Sequence, residues 1–175
     1  MALLPILIAP DPRLKLVCTP VARVDDAVRQ LMDDMRETML AAPGIGLAAP
    51  QVGHPIRLIV VEIEREGQKT GPLFMVNPEI VEASDEDVIY DEGCLSVPEH
   101  YAEVARPAKV RVRYLDRDGE TRELECEGLL STCVQHEMDH LEGILFIDKI
   151  SALKRGIILR KLIKARKDRE REEAD

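Results

Sequence analysis

Aromatic side chains are scarce in this chain of 175 residues: Phe, Tyr and Trp together make up 3%, and there is no Trp. A surface that stacks several bases or sugar rings on aromatic side chains is therefore disfavoured. The formal net charge of -9 also disfavours nucleic-acid contact across the whole surface. Long hydrophobic runs are missing as well, because no apolar stretch approaches the ~20 residues that a membrane span requires. We therefore predict no membrane span.

The chain also lacks the marks of an exported protein. Its apolar first ten residues, MALLPILIAP, contain two prolines and no Lys or Arg, unlike a secretory signal peptide. Four cysteines in a chain of this length indicate thiols or metal ligands more than a disulfide framework. They are Cys18, Cys94, Cys126 and Cys133. We expect a mature, soluble, cytoplasmic protein.

Length and composition predict one compact domain, because 175 residues with 45% hydrophobic content can bury a single core. The charge is uneven along the chain. Residues 152–175 carry nine Lys or Arg and five Asp or Glu, which leaves fifteen basic and 28 acidic residues before them. We expect an acidic body, residues 1–150, and a basic C-terminal helix with a frayed tip, residues 151–175, in the same domain.

Three helices are predicted from local pattern. Apolar residues at helical spacing over 28–39 follow Asp25 or Asp26, either of which can cap the helix. Residues 129–141 contain no Gly or Pro and predict a second helix. A third, loosely amphipathic helix is expected over about 151–167.

The predicted strands are short and pair locally. Runs rich in Val, Ile and Leu at 56–63 and 73–76 are typical of strands. Residues 109–127 alternate apolar and charged side chains around an Asp-Gly turn, which predicts a β-hairpin. Because the only clear pairing is antiparallel, we predict an α+β fold. Antiparallel sheets would pack around a central helix that carries the sequence HEMDH, with the C-terminal helix added.

The HEMDH segment places two histidines on one face of a helix. His136 and His140 are four residues apart, so both imidazoles can close on one divalent ion. Glu137 cannot bind the same ion in the same way, but it can reach a water beside the ion and act as a general base. The alternative is a buried helix whose two histidines are unrelated.

A catalytic metal site usually has a third protein ligand. Cys133 lies on the same helix but starts ~10 Å from His140 along the axis, too far for both to reach one ion while His136 binds. We interpret Cys133 as a small buried residue beside the site. Cys94 follows Gly93 at a turn, where the backbone can approach a ligand closely. We therefore favour Cys94.

Three other functions remain open at this point. The helix motif alone also fits a zinc-dependent endopeptidase, although no histidine follows His140 to serve as its usual downstream ligand. Cys94 would alternatively act as a nucleophile with a histidine base and no metal. In the third alternative the Cys and His residues form a structural zinc site, closed by four protein ligands.

Three segments together resemble the signature motifs of the peptide deformylase family, of the iron(II)-dependent bacterial and organellar type. They are GIGLAAPQVG at 44–53, EGCLS at 92–96 and QHEMDHLEG at 135–143. They stand in the family's order and spacing, and the resemblance covers most of the chain. It implies a metallohydrolase that removes the N-formyl group from the initiator methionine of nascent chains and releases formate.

The resemblance also implies a role for each matched residue. One divalent ion per chain would be held, with iron(II) expected in the cell and zinc, nickel or cobalt as substitutes in purified protein. Its implied ligands are Cys94, His136 and His140. The implied catalytic groups are the Glu137 carboxylate, the Gln51 amide and the Leu95 backbone N–H.

The substrate is expected to be an N-formylmethionyl peptide or nascent chain. By the resemblance, it makes main-chain hydrogen bonds to Ile45 and Gly46, as an added strand would. The wall expected around the methionine side chain consists of Leu129, Thr132 and Cys133. One departure concerns substrate contacts: many family members carry Arg two residues after the position of Glu99, whereas this chain has Tyr101.

Two carboxylates near the proposed ligands are interpreted as supports. We expect Glu92 to accept the second ring N–H of His136, and Asp139 to pair with Arg106. The protein is expected to be a monomer with no membrane partner. We interpret its basic C-terminal helix as a solvated face, with docking to ribosomal RNA as the alternative.

Overall fold

A computed structural model describes residues 2–65 and 67–175. Its α-helices are α1 (Asp26–Ala41), α2 (Gly128–His140) and α3 (Ala152–Ala174). Its strands are β1 (Gly46–Ala48), β2 (Leu58–Val61), β3 (Glu64–Arg65), β4 (Gln68–Lys69), β5 (Leu73–Ala83), β6 (Asp87–Cys94), β7 (Val97–Pro107), β8 (Lys109–Leu115) and β9 (Thr121–Glu127).

Five strands form the main sheet in the order β1-β2-β5-β8-β9, and the strands pair antiparallel throughout. Strands β6 and β7 form a long separate hairpin, and β3 and β4 form a short one. β8 and β9 pair across 109–127, so the predicted hairpin is confirmed. Antiparallel sheets combined with helices also confirm the predicted α+β class. β1 is an edge strand of the main sheet.

Helix α2 is the central element of the fold. Ten of its 13 residues are buried, so it is covered on all sides, unlike an amphipathic surface helix. It contacts the main sheet through β1, β2, β8 and β9, and the separate hairpin through β6 and β7. Side chains of α2 can therefore meet residues from both the main sheet and the hairpin.

Helix α1 covers part of the main sheet. The Asp25 side chain accepts the backbone N–H of Val28 at 2.9 Å and so caps the helix. Met32, Met35 and Met39 are fully buried in a cluster with residues of β1 and β2. The amphipathic helix predicted from 28–39 is confirmed.

The predicted secondary structure needs three corrections. The second strand does not end at residue 76, because β5 continues to Ala83 after a register shift beside Asn77, whose φ is +51°. The β6–β7 hairpin was not predicted, since many of its side chains are exposed and polar and mask the strand pattern. The third helix does not end near residue 167 but continues to Ala174.

Helix α3 is anchored by its first half. The Ser151 side chain accepts a backbone N–H of the first turn at 3.2 Å and caps the helix. Ile158 and Leu162 are buried in a cluster with Phe146. Every residue after Ile163 is exposed. Over the described ranges, none of the helices combines the length and the apolar character that crossing a membrane would take.

Candidate metal centre

Three potential metal ligands meet where the β6–β7 hairpin lies against α2. Cys94 is the last residue of β6, and His136 and His140 are one turn apart on α2. Their donor atoms all lie within 4.8 Å of one another, and Cys94 Sγ is 3.4 Å from His140 Nε2. A thiolate with two imidazoles is a donor set typical of divalent transition metals. The fold therefore assembles a metal-binding group from these three residues.

Cys133 does not join this group. Its thiol donates a weak hydrogen bond to the carbonyl oxygen of Ile45, with 3.7 Å between Sγ and the oxygen. Burial raises the pKa of the Cys133 thiol well above its ordinary value, so the thiol stays protonated. This agrees with the argument that Cys133 starts too far from His140 to share an ion.

His136 is oriented from behind by a buried acidic residue. His136 Nδ1 donates to Glu92 Oε1 at 2.9 Å, which leaves Nε2 as the nitrogen for a metal. Arg106 is 4% exposed and donates to both Glu92 oxygens, at 2.7 and 3.0 Å. Arg106 also donates to Asp139 at 2.8 Å. Both supporting pairs expected from the sequence are therefore present.

The charges around the site favour a cation. Burial lowers the pKa of His136, but nearby acidic groups outweigh burial and hold that pKa well above its usual value. These groups are Glu137, Cys94 and Glu92. Burial and the neighbouring His136 lower the pKa of His140 well below its usual value. His140 is therefore a neutral imidazole, the form that binds metals.

Glu137 lies beside the donor atoms. Its Oε1 is 3.9 Å from His140 Nε2 and has no hydrogen-bond partner within residues 2–65 and 67–175. Burial raises the pKa of Glu137 to about 7. A carboxyl group with this pKa can take up and return a proton at neutral pH. A buried oxygen without a partner here fits a group that acts on a water beside an ion.

Gln51 reaches the site from the turn that follows β1. Its Nε2 donates to Ser96 Oγ at 3.0 Å and lies 3.5 Å from Cys94 Sγ. Its Oε1 accepts the backbone N–H of Ala48 at 2.9 Å. The side-chain amide is therefore held with its N–H groups toward the metal ligands. Sequence reasoning missed Ser96, although it lies in the EGCLS segment two residues after Cys94.

A cleft of about 840 Å³ adjoins the donor group, and Cys94 and His136 line it. All of the predicted substrate and oxyanion residues line it too: Ile45, Gly46, Gln51, Leu95, Leu129, Thr132 and Cys133. Sequence reasoning missed Arg65 and Tyr90, which also line the cleft. Tyr101 lies over Gly93, because a Cβ built there would approach ring atom Cε1 to 2.5 Å.

The profile of the polypeptide deformylase family matches residues 3–156. The chain belongs to the polypeptide deformylase family. A peptide deformylase from Phenylobacterium zucineum (strain HLK1) is 58% identical over 164 residues, which are 94% of this chain and 97% of that protein. The peptide deformylase of Mesorhizobium japonicum is 53% identical over 169 residues, covering 97% of this chain and 96% of that protein.

Solved structures of peptide deformylases share the fold. The enzyme from Ehrlichia chaffeensis has a TM-score of 0.92 at 39% identity, over 99% of this chain and 100% of that one. A second structure of the Ehrlichia chaffeensis enzyme, in complex with actinonin, has a TM-score of 0.91 at 42% identity. The match covers 94% of this chain and 98% of that one. Deformylases are metal-dependent hydrolases that remove the N-formyl group from nascent chains. The family and the reaction class predicted from the sequence are confirmed.

Proposed function

We propose that this chain hydrolyses the formamide of N-formylmethionyl peptides, with Cys94, His136 and His140 as metal ligands and Glu137 as general base. One observation carries the proposal: three donor atoms lie within 4.8 Å of one another, beside a carboxylate oxygen that has no hydrogen-bond partner in the described part of the chain. A structural zinc site would have four protein ligands. Three residues make up the group in the described part of the chain, which favours a catalytic centre.

Glu137 accepts and then donates the proton that moves during hydrolysis. When bound, a divalent ion lowers the pKa of a water from about 15.7 to about 7 and so supplies hydroxide at neutral pH. Glu137 accepts the proton of that water, because its carboxylate lies beside the donor atoms, with Oε1 3.9 Å from His140 Nε2. Hydrolysis would break the formyl C–N bond, with the oxygen of that water ending in formate and its proton on Glu137. Glu137 passes its proton to the departing nitrogen, and the products are formate and a free amine.

Gln51 and the backbone N–H of Leu95 stabilise the negative charge that develops on the formyl oxygen. The contacts of Gln51 with Ser96 and Ala48 support this role, because they hold the amide before substrate binds. A donor that is already oriented needs no reorganisation during the reaction. Such a donor contributes ~3 kcal/mol to stabilisation of the transition state.

The peptide lies along β1 and extends the main sheet by one strand. β1 is suited to this because, among the described strands, it pairs with β2 on one side and with none on the other. Backbone groups of Ile45 and Gly46 then bind the substrate backbone. The methionine side chain lies against Leu129, Thr132 and Cys133, which line the same cleft.

We propose iron(II) as the ion in the cell. Zinc, nickel and cobalt bind such sites more tightly than iron(II), so purified protein carries a substitute unless iron is supplied. A ferrous site with a thiolate ligand is sensitive to oxygen, through Cys94 or through the iron itself. Iron-loaded protein should therefore lose activity in air, and nickel-loaded protein should keep it. Unchanged activity of the iron form after prolonged exposure to air would contradict the assignment.

The decisive experiment measures formate release from formyl-Met-Ala-Ser by anaerobically purified protein. Chelation should abolish release, and Glu137→Ala should lower kcat by about 10² to 10⁴ while the metal stays bound. Glu142→Ala, on an exposed residue just after α2, is the matched control and should retain kcat. Digestion of casein in parallel would indicate an endopeptidase. If folded protein with confirmed bound iron, nickel or cobalt releases no formate, the proposal is wrong.

We further propose that residues 1–150 and 151–175 form one catalytic domain of a monomeric, cytoplasmic enzyme. The burial of Ile158 and Leu162 against the cluster of Phe146 supports a single domain. Light scattering after gel filtration should give the mass of one chain, 19.7 kDa. A mass near twice that value at micromolar concentration would contradict the monomer.

The first half of α3 is proposed to contact ribosomal RNA. Residues 152–163 contain four basic residues and no acidic one, whereas residues 164–175 contain five of each sign. Contacts with phosphate depend on salt. Replacing exposed Arg160 and Lys161 by Gln should weaken ribosome binding and reduce its salt dependence. Truncation after Ile163, which removes the neutral tip, should leave both ribosome binding and its salt dependence unchanged. If the double variant binds ribosomes as tightly as the wild type does, the basic face of α3 is only a solvated face.

A further inference from the structure

The N-terminal cap of helix α2 comes from another element of the fold. In the described part of the chain, the Glu127 side chain at the cap position accepts no N–H of the first turn. The first N–H groups of a helix have no partner within it and need an acceptor from elsewhere. Gln68 of β4 supplies one, because its Oε1 accepts the backbone N–H of Leu130 at 3.2 Å. Its Nε2 donates to the carbonyl oxygen of Glu127 at 3.1 Å. Gln68 therefore caps the helix that carries the candidate metal ligands.

The β3–β4 hairpin that carries Gln68 also reaches the cleft beside the donor group. Arg65 of β3 is the register partner of Gln68, and paired residues of neighbouring strands lie ~5 Å apart. Arg65 lines the cleft, as Tyr90 does. A Cβ built at Gly128 would be 3.6 Å from Gln68 Nε2 and 3.8 Å from the Tyr90 hydroxyl oxygen. The β3–β4 hairpin, Tyr90 and the first turn of α2 therefore meet at one place.

The place where they meet is the end of the cleft remote from the metal ligands. Leu129, in the first turn of α2, and His136 both line the cleft and lie ~10 Å apart along the helix axis. Arg65 belongs to the Leu129 end, because its register partner Gln68 bonds to Leu130. In the proposed binding mode the methionine side chain lies against Leu129, so its last atoms approach this end.

We propose that Gln68 is a positioning residue that sets the length of the first side chain that the enzyme accepts. This rests on the proposed function. Among the described residues, the two hydrogen bonds of Gln68 are the only ones that join the hairpin, residues 64–69, to α2 or its cap residue. Without them the hairpin and the first turn of α2 separate, and the end of the pocket opens to a longer side chain. A pocket discriminates one extra methylene by about 10- to 200-fold, so a small separation changes the selectivity.

The test compares kcat/KM of the metal-loaded enzyme for formyl-Met-Ala-Ser and for the same peptide with 2-aminooctanoic acid in place of methionine, a side chain two atoms longer. The wild type should prefer the methionine peptide by about 100-fold. Gln68→Met keeps the size of the side chain but removes both hydrogen bonds, so it should lower this preference about tenfold. Gln68→Glu keeps an acceptor for the Leu130 N–H and should keep most of the preference. Lys69→Ala, on an exposed neighbour in β4, is the control and should keep all of it.

Two results would overturn the proposal. One is a wild type that accepts both peptides equally, which needs no variant to interpret. The other is a Gln68→Met variant in which kcat/KM for the two peptides falls by the same factor or does not change, since a purely structural role leaves the preference intact. Gln68→Asn, whose amide is one methylene too short, gives the same comparison if Gln68→Met does not fold.

Calorimetric binding of the deformylated products, Met-Ala-Ser and its 2-aminooctanoic counterpart, gives a second readout that needs no turnover. The ratio of the two affinities should fall in Gln68→Met and stay constant in Lys69→Ala. If formyl-Met-Ala-Ser itself releases no formate from the wild type, the proposed function fails, whereas the ratio of product affinities still decides the role of Gln68.

Discussion

The carboxylate of Glu137 lies against the backbone of Gly46. A Cβ built at position 46 would be 2.3 Å from Glu137 Oε2 and 2.9 Å from its Cδ. The edge strand that is proposed to bind peptide therefore touches the proposed general base. Glycine at this position lets the strand and the carboxylate occupy adjacent space, so one residue would link the proposed peptide strand to the proposed general base.

Gly46→Ala should displace the Glu137 carboxylate and lower kcat by about 10², since a misplacement of ~1 Å can cost that much. The measurement is formate release together with metal content and circular dichroism. Gly156→Ala is the control, because a Cβ there meets only Arg160 Nη1 at 3.6 Å. The control should retain kcat and gain up to about 1 kcal/mol in the free energy of unfolding. Full activity of folded, metal-loaded Gly46→Ala would refute the coupling.

Arg106→Met should destabilise the fold strongly. The substitution leaves Glu92 buried without its cationic partner, which costs about 3 to 5 kcal/mol. Urea denaturation of the metal-loaded protein measures the free energy of unfolding. Arg111→Met removes an arginine that pairs with Glu125 on the exposed face of the β8–β9 hairpin, and it should change the free energy of unfolding far less, because solvent screens this pair. Equal losses in the two variants would argue against a special role for the buried pair.

Removal of the metal should lower the free energy of unfolding, because Cys94, His136 and His140 then hold no ion. An ion that binds only the folded state adds about 4 kcal/mol at a free concentration a thousandfold above its Kd. Chelation should therefore lower Tm in the wild type and in His54→Ala, whose side chain is exposed. His140→Ala should bind no stoichiometric metal by elemental analysis and should show no shift on chelation. A full complement of metal in His140→Ala would exclude this residue as a ligand.

Asp148 should make the stability depend on pH. Burial raises the pKa of Asp148, but hydrogen bonds from Lys15, Leu145 and Arg155 outweigh burial and hold it below the ordinary value. Its contribution is therefore complete above the unfolded-state pKa of about 3.9 and is lost as the pH falls through the lower folded-state pKa. Asp148→Asn should cost about 1 kcal/mol at pH 7.

The check on Asp148 is the difference in urea midpoint between wild type and Asp148→Asn, measured from pH 7 downward. The difference should be constant to about pH 5 and shrink below the unfolded-state pKa of about 3.9. Loss of metal in acid affects both proteins alike and largely cancels in the difference. A difference that grows on acidification would show that the assigned direction of the pKa shift is wrong.

The periodicity of neighbouring residues predicted the helices and strands whose pattern lies within one short segment. The spacing of His136 and His140, the first helix and the hairpin over 109–127 follow from helical or strand periodicity within one element, whereas the choice of Asp25 over Asp26 as the cap came from the structure. The β6–β7 hairpin escaped prediction, because its exposed polar side chains break the alternation of a half-buried strand. The length of α3 was also underestimated, because its last turns are charged and solvated and show no apolar periodicity.

The sequence by itself determined the chemical repertoire: a helix with two imidazoles and a carboxylate, a thiol in a turn, and the order of three family motifs. The tertiary structure alone decided which groups meet. Cys94 and His140 are 46 residues apart, and their approach depends on how the β6–β7 hairpin packs against α2. The contact of Gly46 with Glu137 is equally a product of packing. Periodicity describes neighbours along one element, whereas distances between elements are set by the burial of a shared core.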